Sequence, residues 1–545
     1  MKEIISSKRG LEKLSSTDQE LFRKFGFGNA VDLPFTCIHH AIEHQVSVRP
    51  NAIAIDHLGQ TITYQQLDLH AERLAALLSA HGIEKGDRIG LFVKRSIPMV
   101  VGILASLKLG AVYVPQDVGV SSESRLKYII DTATIKVSLT LAKFKTKIPK
   151  KKGDICIAID EVMNRKVIFD SDLIHNKAAR AAIDRTDKCF VLFTSGTTGK
   201  PNGVQVTHEN LCNILLLKPG NLSIEPGWKV GQILNIAFDM AAWEILGCLA
   251  HGGTLMVRGK AIEETLQEVD VIIATPSILS VIDPRSCPNI KKVAVAGEPC
   301  PLTLANKWTQ VCDFYNCCGP TETTIVNTMQ LCAPHSQHIT IGAPTPNNTV
   351  YILDEKRQPV QIGQIGMMWA GGFCVTAGYL NNDQLNQERY AEDPFWGEGR
   401  MMFRTGDLGR WTKEGQLEHH GRLDDQVKVR GFRVELDGIS AVIESMPDCK
   451  RAVTLKLDDR NLVSFVMPST VDVDRIKEKI AAELPYYYSP SFILSMNQLP
   501  MTARGKIDKR LLLQKALQYQ NGSTVSVPTI PNSENASEDG QKKRA

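Results

Sequence analysis

The chain has 545 residues, of which 43% are hydrophobic and 22% charged, and its formal net charge at pH 7 is only +4. This length exceeds what one hydrophobic core usually serves, which predicts at least two domains. The near-neutral balance does not indicate a nucleic-acid-binding surface, and no apolar run approaches the ~20 residues of a membrane span. The 13 cysteines show no paired zinc-type spacing, which favours a reduced, cytoplasmic protein over a disulfide scaffold.

In chain order, residues 1–33 are predicted to be a linker, and a regular pattern begins at Phe35. Apolar residues at helical spacing predict helices over 38–46, 64–81 and 97–109. Short apolar runs predict buried strands at 88–93, 111–114, 189–193, 233–236, 271–274 and 292–295. Alternation of strand and helix is typical of parallel α/β layers.

The pattern changes twice towards the C-terminus. From about residue 349 it is β-rich with Gly and Pro turns, and a smaller mixed section follows. In that section strands are predicted near 427–434 and 452–457, and helices near 438–445 and 473–483. The predicted fold class is α/β, with a large domain of parallel α/β layers plus a β-rich subdomain, and a small α+β C-terminal domain. The predicted divisions are 1–33, 34–423, 424–520 and a disordered tail or linker at 521–545.

The most distinctive local feature directly follows a predicted strand and reads Thr194-Ser195-Gly196-Thr197-Thr198-Gly199. Glycines let the backbone approach a ligand closely, and hydroxyls with backbone N–H groups can hold phosphate oxygens. The spacing is not that of a Walker loop, because Gly196 and Gly199 are only three residues apart. A surface turn rich in Ser and Thr would have the same composition, so these residues alone leave both interpretations open.

Together with later motifs, the loop resembles that of the adenylate-forming superfamily, which includes acyl-CoA synthetases, luciferases and adenylation domains of nonribosomal peptide synthetases. The motifs follow in the family's order at Phe238–Glu244, Asn316–Thr323, Phe403–Leu408, Gly421–Gly431 and Pro500–Asp508. The resemblance covers roughly residues 35–515. It implies an enzyme in which a carboxylate attacks the α-phosphate of ATP and pyrophosphate leaves.

The resemblance also implies roles for individual residues. The loop would hold the phosphates, Asn316 would contact adenine, Asp407 and Arg422 would bind the ribose, and Cys318 and His419 would lie against adenine. Thr321 would contact the α-phosphate, Glu322 would ligate Mg²⁺, and Lys506 would be the catalytic lysine. Asp424 would be the hinge about which a mobile C-terminal lid rotates.

Three positions depart from the family pattern. Asn202 stands where the family usually has a lysine that contacts the β- and γ-phosphates. Cys318 replaces a tyrosine and His419 replaces an aromatic residue, both of which pack on adenine in relatives. These changes predict weakened nucleotide binding.

Carried over position by position, the substrate pocket comprises Asp239, Met240, Trp243, Ala274, Ala294, Ala296, Cys317, Ile325, Val326 and Lys506. Asp239 would pair with the α-ammonium of an amino acid, because a carboxylate in an apolar segment needs a cation; a helix N-cap is the structural alternative. The alanines and Cys317 imply a roomy, uncharged pocket. We therefore expect a bulky uncharged substrate, such as the acylated N-hydroxyornithine of a fungal siderophore synthetase, with aromatic amino acids as competitors.

The implied partners are the phosphopantetheine thiol of a carrier domain and the condensation domain of the same synthetase, with the excised chain a monomer. An acyl-CoA synthetase is one alternative, which Asp239 disfavours. A degenerate nucleotide-binding scaffold is another, supported by the three departures and opposed by intact Glu322, Asp407, Arg422 and Lys506.

Overall fold

The computed structural model describes residues 11–164, 182–194, 200–397, 399–423, 426–429, 431–501 and 507–520. The strands are β1 (Ile53–His57), β2 (Gln60–Thr63), β3 (Arg88–Val93), β4 (Val112–Asp117), β5 (Val137–Thr140), β6 (Ile155–Ala158), β7 (Lys188–Thr194), β8 (Asn202–Thr207), β9 (Lys229–Gln232), β10 (Thr254–Val257), β11 (Val271–Ala274), β12 (Lys292–Val295), β13 (Asp313–Cys318), β14 (Thr328–Cys332), β15 (Ala343–Pro344), β16 (Asn348–Leu353), β17 (Gly366–Gly372), β18 (Tyr390–Glu392), β19 (Met401–Trp411), β20 (Leu417–Arg422), β21 (Gln426–Val429), β22 (Phe432–Glu435), β23 (Arg451–Lys456), β24 (Leu462–Met467) and β25 (Phe492–Ser495). The helices are α1 (Ser16–Gly26), α2 (Ile38–Val48), α3 (Tyr64–Ala80), α4 (Ile97–Lys108), α5 (Glu123–Thr132), α6 (Ile159–Asn164), α7 (His208–Leu216), α8 (Asp239–Ala242), α9 (Cys248–Ala250), α10 (Ile262–Leu266), α11 (Pro276–Ser280), α12 (Leu302–Trp308), α13 (Asp383–Arg389), α14 (Leu436–Glu444), α15 (Val473–Glu483) and α16 (Lys509–Gln520).

Two large sheets form the first part of the structure. One has the strand order β6-β5-β3-β4-β7-β8 and is parallel except for the β7–β8 pair. The other has the order β15-β14-β13-β12-β11-β9-β10-β1-β2, parallel from β13 to β1 and antiparallel at both ends. Parallel neighbours need long crossover connections, which the intervening helices supply. The predicted parallel α/β fold is confirmed.

One continuous core contains side chains from both sheets and from helices α2, α3, α4 and α7. Helix α3 begins with a capping box between Thr63 and Gln66, and its Leu67, Leu74 and Leu78 are fully buried. Each such leucine contributes about 1.5–3 kcal/mol relative to exposure. Among the described residues, no helix has the length and apolar character needed to cross a membrane.

The β-rich part is a sheet of order β16-β17-β19-β18, with β20 paired to β19. Helix α1 packs on it and lies inside the segment that was expected to be a linker. Ser15 caps the helix, and the Phe22 ring stacks on Tyr351 with centroids 5.4 Å apart. Phe22 is 3% exposed. The amphipathic face of α1 therefore completes the core of this sheet.

The C-terminal unit, defined as β21 onwards, contains the β21–β22 hairpin and a sheet of order β23-β24-β25. Helices α14 and α15 pack on that sheet in one core and α16 packs on it in another, and both cores are separate from the first. Two predictions need correction. The run 427–434 is a hairpin turning at Gly431, whose φ of +82° suits glycine. The run 233–236 is irregular and follows β9, because the Glu244 carboxylate accepts the Ile233 and Leu234 amides.

A buried cation joins three helices of the large core. The Lys108 ammonium lies 2.5 Å from Glu43, 2.7 Å from Asp68 and 3.0 Å from Glu72, and its side chain is only 2% exposed. Burial alone would lower the pKa of Lys108, but the three carboxylates outweigh it and raise the pKa. Lys108 on α4 thus neutralises carboxylates from α2 and α3.

Replacing Lys108 with alanine is expected to destabilise the large core by about 3–5 kcal/mol, because it leaves carboxylates without their buried cation. Chemical denaturation followed by tryptophan fluorescence would measure the loss. The matched control is Lys136→Ala, whose ammonium lies 2.8 Å from Asp87 with the side chain 53% exposed. That variant should lose less than about 1 kcal/mol. Equal losses in both variants would contradict the prediction.

Candidate active site

The predicted site residues converge where the parallel strands β11, β12 and β13 end and the β21–β22 hairpin approaches them. Ala274 ends β11, and its carbonyl accepts the Ala296 amide at 3.2 Å just beyond β12. The hairpin comes so close that a Cβ on Gly431 would lie 3.0 Å from Thr275. Open α/β sheets bind ligands outside the carboxyl ends of their strands, so this cleft is where a site is expected.

Glu322 is fully buried in the cleft and is paired with a cation from the C-terminal unit. One guanidinium nitrogen of Arg433 on β22 lies 2.8 Å from one carboxylate oxygen and 3.2 Å from the other. The Tyr379 hydroxyl donates to the same carboxylate at 2.7 Å. Burial would raise the pKa of Glu322, but the Arg433 charge and these hydrogen bonds lower it below its ordinary value. The carboxylate is therefore ionised.

Asp407, Arg422 and His419 meet through the register of β19 and β20. Arg422 donates to an Asp407 oxygen at 2.7 Å, and the His419 Nε2 lies 3.3 Å from the same oxygen. Burial would raise the pKa of Asp407, but the His419 hydrogen bond and the Arg422 charge lower it. Asp407 thus presents an ionised carboxylate in the cleft, as its expected ribose-binding role requires.

Lys428 on β21 is the central cation of the cleft. Burial lowers the pKa of its ammonium, opposed by neighbouring Cys318 and Asp407. Burial, and then the Asp407 charge, raises the pKa of the Cys318 thiol to about 12, so the thiol is neutral. Asn316, two residues earlier on β13, donates its side-chain amide to the Thr340 carbonyl at 2.7 Å.

Asp239 is the first residue of α8 and lies near Thr321. The N-cap position belongs to Phe238, so Asp239 is not the N-cap; its carboxylate accepts the Met240 amide at 2.8 Å. Burial raises the pKa of Asp239, opposed by hydrogen bonds from Thr321 and Met240 and by the Lys428 charge. Burial therefore outweighs the hydrogen bonds and the Lys428 charge in setting the pKa of this carboxylate.

Eight of the ten predicted pocket residues are buried, Asp239 is partly exposed, and Lys506 lies outside the described ranges. Those 9% exposed or less are Met240, Trp243, Ala274, Ala294, Ala296, Cys317, Ile325 and Val326. The Trp243 indole donates to the Gly220 carbonyl at 2.7 Å, and Trp243 begins a π-helical turn, a feature frequent at functional sites. Thr324 and Ile325 have φ values of 52° and 70°. Positive φ is strained for β-branched residues, and such strain clusters at active sites.

Several predicted residues lie outside the described ranges: Ser195, Gly196, Thr197, Thr198 and Gly199 of the loop, the hinge residue Asp424, and Lys506. The loop's flanks are described. Thr194 ends β7 and its hydroxyl donates to the Asn202 carbonyl at 3.4 Å. Asn202 accepts a side-chain hydrogen bond from Asn382 at 3.1 Å. Asn202, which stands where the family usually has a lysine, therefore accepts a hydrogen bond from Asn382 and supplies no positive charge.

The sequence motifs did not point to three residues of the cleft: Arg433, Lys428 and Tyr379. Lys428 lies inside the Gly421–Gly431 motif, and its position in that motif could have identified it as a residue of the cleft. Arg433 and Tyr379 act on Glu322 from 111 and 57 residues away. Nothing in the local pattern of either residue indicates that partner.

Mg²⁺ in the cleft would meet a carboxylate that already has a cationic partner. A hard divalent cation takes carboxylate oxygens, so the chemistry of Glu322 fits. Both of its oxygens, however, contact the Arg433 guanidinium. Mg²⁺ held by Glu322 would therefore have to displace the Arg433 side chain or share the carboxylate with it.

Comparison with known proteins gives a consistent set of relatives. Residues 42–380 match the family described as AMP-binding enzyme. The chain is similar to adenylate-forming reductase 03009 of Coprinopsis cinerea, at 44% identity over 93% of this chain and 49% of that protein. It is similar to gramicidin S synthase 1 of Brevibacillus brevis, at 31% identity over 88% of this chain and 45% of that protein. The chain thus spans about half the length of these curated relatives.

Among solved structures, the fold is similar to the Vibrio cholerae adenylation domain AlmE in complex with glycyl-adenosine-5'-phosphate. The TM-score is 0.76 at 21% sequence identity, with 91% of this chain and 100% of that chain covered. This likeness concerns the fold and agrees with the layered α/β architecture.

Replacing Arg433 with alanine is expected to release the C-terminal unit from the cleft, because it leaves the buried Glu322 carboxylate without its cation. Breaking a buried pair in this way costs about 3–5 kcal/mol. Limited proteolysis of the 423–432 segment would measure the release as faster cleavage. The control is Arg451→Ala, on the same unit, whose 56%-exposed side chain pairs with Glu444 at 3.3 Å. Unchanged cleavage of the Arg433 variant would contradict the prediction.

Proposed function

Since the chain belongs to the AMP-binding enzyme family, we propose that it activates an amino acid with ATP, forming aminoacyl-AMP and releasing pyrophosphate, and passes the aminoacyl group to the phosphopantetheine thiol of a carrier domain. The observation that carries the proposal is the placement of Asp239, whose carboxylate accepts the Met240 amide at the start of α8 and whose pKa is raised by burial. A substrate ammonium would stabilise this carboxylate, because a desolvated carboxylate gains most from a fixed cation.

The neighbouring residues divide the cleft into an amino-acid side and a nucleotide side. Asp239 and the buried pocket wall form the first, and Asp407, Arg422 and Asn316 form the second. Thr321 hydrogen-bonds to Asp239 and so lies at the border. An acid carboxylate held by its own ammonium at Asp239 would therefore point towards a nucleotide held at Asp407. Positioning two reactants in this way removes much of the entropic barrier.

Both reactants are anions, so the residues of this chain must neutralise charge. Lys428 is already in the cleft, and Lys506 is proposed to reach the substrate carboxylate, by analogy with the family. Glu322 would hold Mg²⁺, which would neutralise charge on the departing pyrophosphate. Preorganised cations of this kind each supply about 10²–10³ in rate.

The proposed substrate is a bulky, uncharged amino acid, such as an acylated N-hydroxyornithine. Three alanines and Cys317 among the wall residues support a large side chain, and no wall residue besides Asp239 and Lys506 carries a charge. Aromatic amino acids are the competing class, since Trp243 would suit them equally.

The docked C-terminal unit supports the transfer step. Phe432 of the hairpin lies 5.3 Å from Phe238, the residue before Asp239, and stacks on Tyr487 at 4.1 Å. The unit therefore covers the cleft beside the expected position of the acyl group. A carrier domain, and beyond it a condensation domain, are the proposed partners.

A second candidate for the later fate of the acyl group comes from the adenylate-forming reductase. Its 44% identity to this chain exceeds the 31% identity of gramicidin S synthase 1. In this alternative, the chain forms the same adenylate and the acyl group is then reduced by a hydride donor to an aldehyde. The full-length protein, given ATP, Mg²⁺, the activated acid and NADPH, distinguishes the two. Aldehyde formation supports the reductase, and amide formation supports the peptide synthetase.

Acid-dependent ATP–pyrophosphate exchange tests the proposed activation. The panel should hold aromatic amino acids, acylated hydroxyornithines, small amino acids, and aryl or keto acids without an α-amine. We expect exchange with a bulky α-amino acid. Exchange only with acids that lack the amine would contradict the role of Asp239. Exchange with no acid, together with undetectable ATP binding, would contradict the proposed activity.

Replacing Asp239 with alanine should lower kcat/KM for the amino acid roughly 30- to 5,000-fold, because the ammonium loses its partner. This corresponds to a loss of about 2–5 kcal/mol of transition-state stabilisation. Exchange kinetics would measure this, with KM for ATP expected to stay the same. Asp283→Ala removes a carboxylate on the exposed 284–286 turn and serves as the control. A loss confined to ATP affinity would place Asp239 on the nucleotide side and contradict the assignment.

Replacing Cys318 with tyrosine should lower KM for ATP, because it restores a ring where relatives pack adenine. Stacking on a base contributes about 1–3 kcal/mol, roughly a 5- to 150-fold effect. Cys318→Ser removes the thiol without adding a ring and should leave KM for ATP unchanged. A higher KM for ATP in the tyrosine variant alone would show that the base does not lie against position 318.

A further inference from the structure

A cluster of metal-ligand side chains lies outside the cleft, where α2 and α7 begin. The Cys37 Sγ and one nitrogen each of His39 and His208 lie within 4.8 Å of one another. Their exposures are 0%, 3% and 0%. Cys37 precedes α2, His39 is its second residue, and His208 is the first residue of α7.

His208 is the least satisfied polar side chain of the cluster. Within the described part of the chain, neither of its ring nitrogens has a hydrogen-bond partner. A buried polar group without a partner costs about 1–3 kcal/mol, and native proteins rarely carry one. The His39 ring stands edge-on to it at a centroid distance of 5.3 Å. A metal ion bound jointly by His208, His39 and Cys37 would give this buried imidazole a partner.

A fourth donor is supplied by the same helix as His208. Cys212 follows it by four residues on α7, so the two side chains lie on one helix face. Cys212 is fully buried. Its thiol lies outside the set of ligand atoms within 4.8 Å of one another, so Cys212 would have to turn towards the cluster to serve as the fourth ligand. Another nearby thiol, Cys189, already donates to the Val206 carbonyl at 3.2 Å.

These side chains have the composition that zinc prefers. Zinc takes four ligands in a tetrahedron, with Zn–N of about 2.0–2.1 Å and Zn–S of about 2.3 Å, which puts ligand atoms roughly 3.3–3.8 Å apart. The separations within 4.8 Å among Cys37, His39 and His208 reach this by small side-chain rotations, and Cys212 would complete the tetrahedron after a rotation of its own. Binding would release the thiol protons, since zinc takes cysteine as the thiolate.

We propose that Cys37, His39, His208 and Cys212 form a structural zinc site. The site would join α2 to the base of the β7–β8 hairpin, because His208 directly follows β8. The other end of that hairpin carries Thr194 and Asn202, which flank the glycine-rich loop. A metal here would anchor the hairpin from which the loop projects, and it takes no part in the proposed adenylation.

The test is the metal content of the full chain, purified from zinc-supplemented cells and measured by inductively coupled plasma mass spectrometry. We expect about one zinc ion per chain, lost in Cys37→Ser and in His208→Asn. The matched control, Cys248→Ser, removes an equally buried cysteine elsewhere and should keep the metal. A chelator should lower the Tm of the unaltered chain and of the control, and leave both site variants unchanged.

Cobalt substitution tests the site in the unaltered chain, so the result does not depend on whether a variant folds. The unaltered chain refolded with Co²⁺ should show the visible bands of tetrahedral cobalt and a thiolate-to-metal charge-transfer band. The proposal is overturned if the purified chain holds no stoichiometric metal and shows no such bands. It is equally overturned if the metal persists in both site variants.

Discussion

The ion pair between Glu322 and Arg433 determines how the two ends of the chain meet. The Glu322 carboxylate is buried and depends on the Arg433 cation, whereas the Arg433 side chain is 22% exposed and also lies 4.0 Å from Glu435. The pair holds the β21–β22 hairpin against the strand ends and so brings Lys428 and Phe432 into the cleft. Because the guanidinium occupies both oxygens of Glu322, a metal ion and the docked hairpin compete for one carboxylate. The arrangement of the C-terminal unit and the charge state of the cleft are therefore linked.

The three departures from the family pattern are integrated into this structure. Asn202 accepts a hydrogen bond from Asn382, and His419 approaches the Asp407 carboxylate at 3.3 Å. Cys318 is a neutral thiol beside Asp407 and Lys428. The polar groups at these positions have partners, while the carboxylates that relatives use remain ionised. This combination favours a working site with altered nucleotide contacts over a degenerate scaffold.

The relatives carry the names of two different kinds of enzyme, an adenylate-forming reductase and a gramicidin S synthase. A reductase and a peptide synthetase both match most of this chain, and each is about twice its length. Adenylate formation is the step that we propose for the cleft. Under the proposed function, Asp239 would add a preference for acids that bring their own cation.

Short-range patterns in the sequence determined much of this protein. The helical spacing of apolar residues predicted α2, α3 and α4, and the order of the motifs along the chain pointed to Asp239, Glu322, Asp407 and Arg422. Those signals are local, because a helix or a motif is encoded within a few residues. Two strand predictions needed correction. At 233–236 the Glu244 side chain, rather than a neighbouring strand, accepts the backbone amides, and at 427–434 the chain turns at Gly431 to form a hairpin. The partners of Glu322, the shared oxygen of Asp407, and the meeting of Cys37 with His208 were decided by the tertiary structure alone. They join residues far apart along the chain, and burial, which gives these contacts their energy, exists only once the chain has folded.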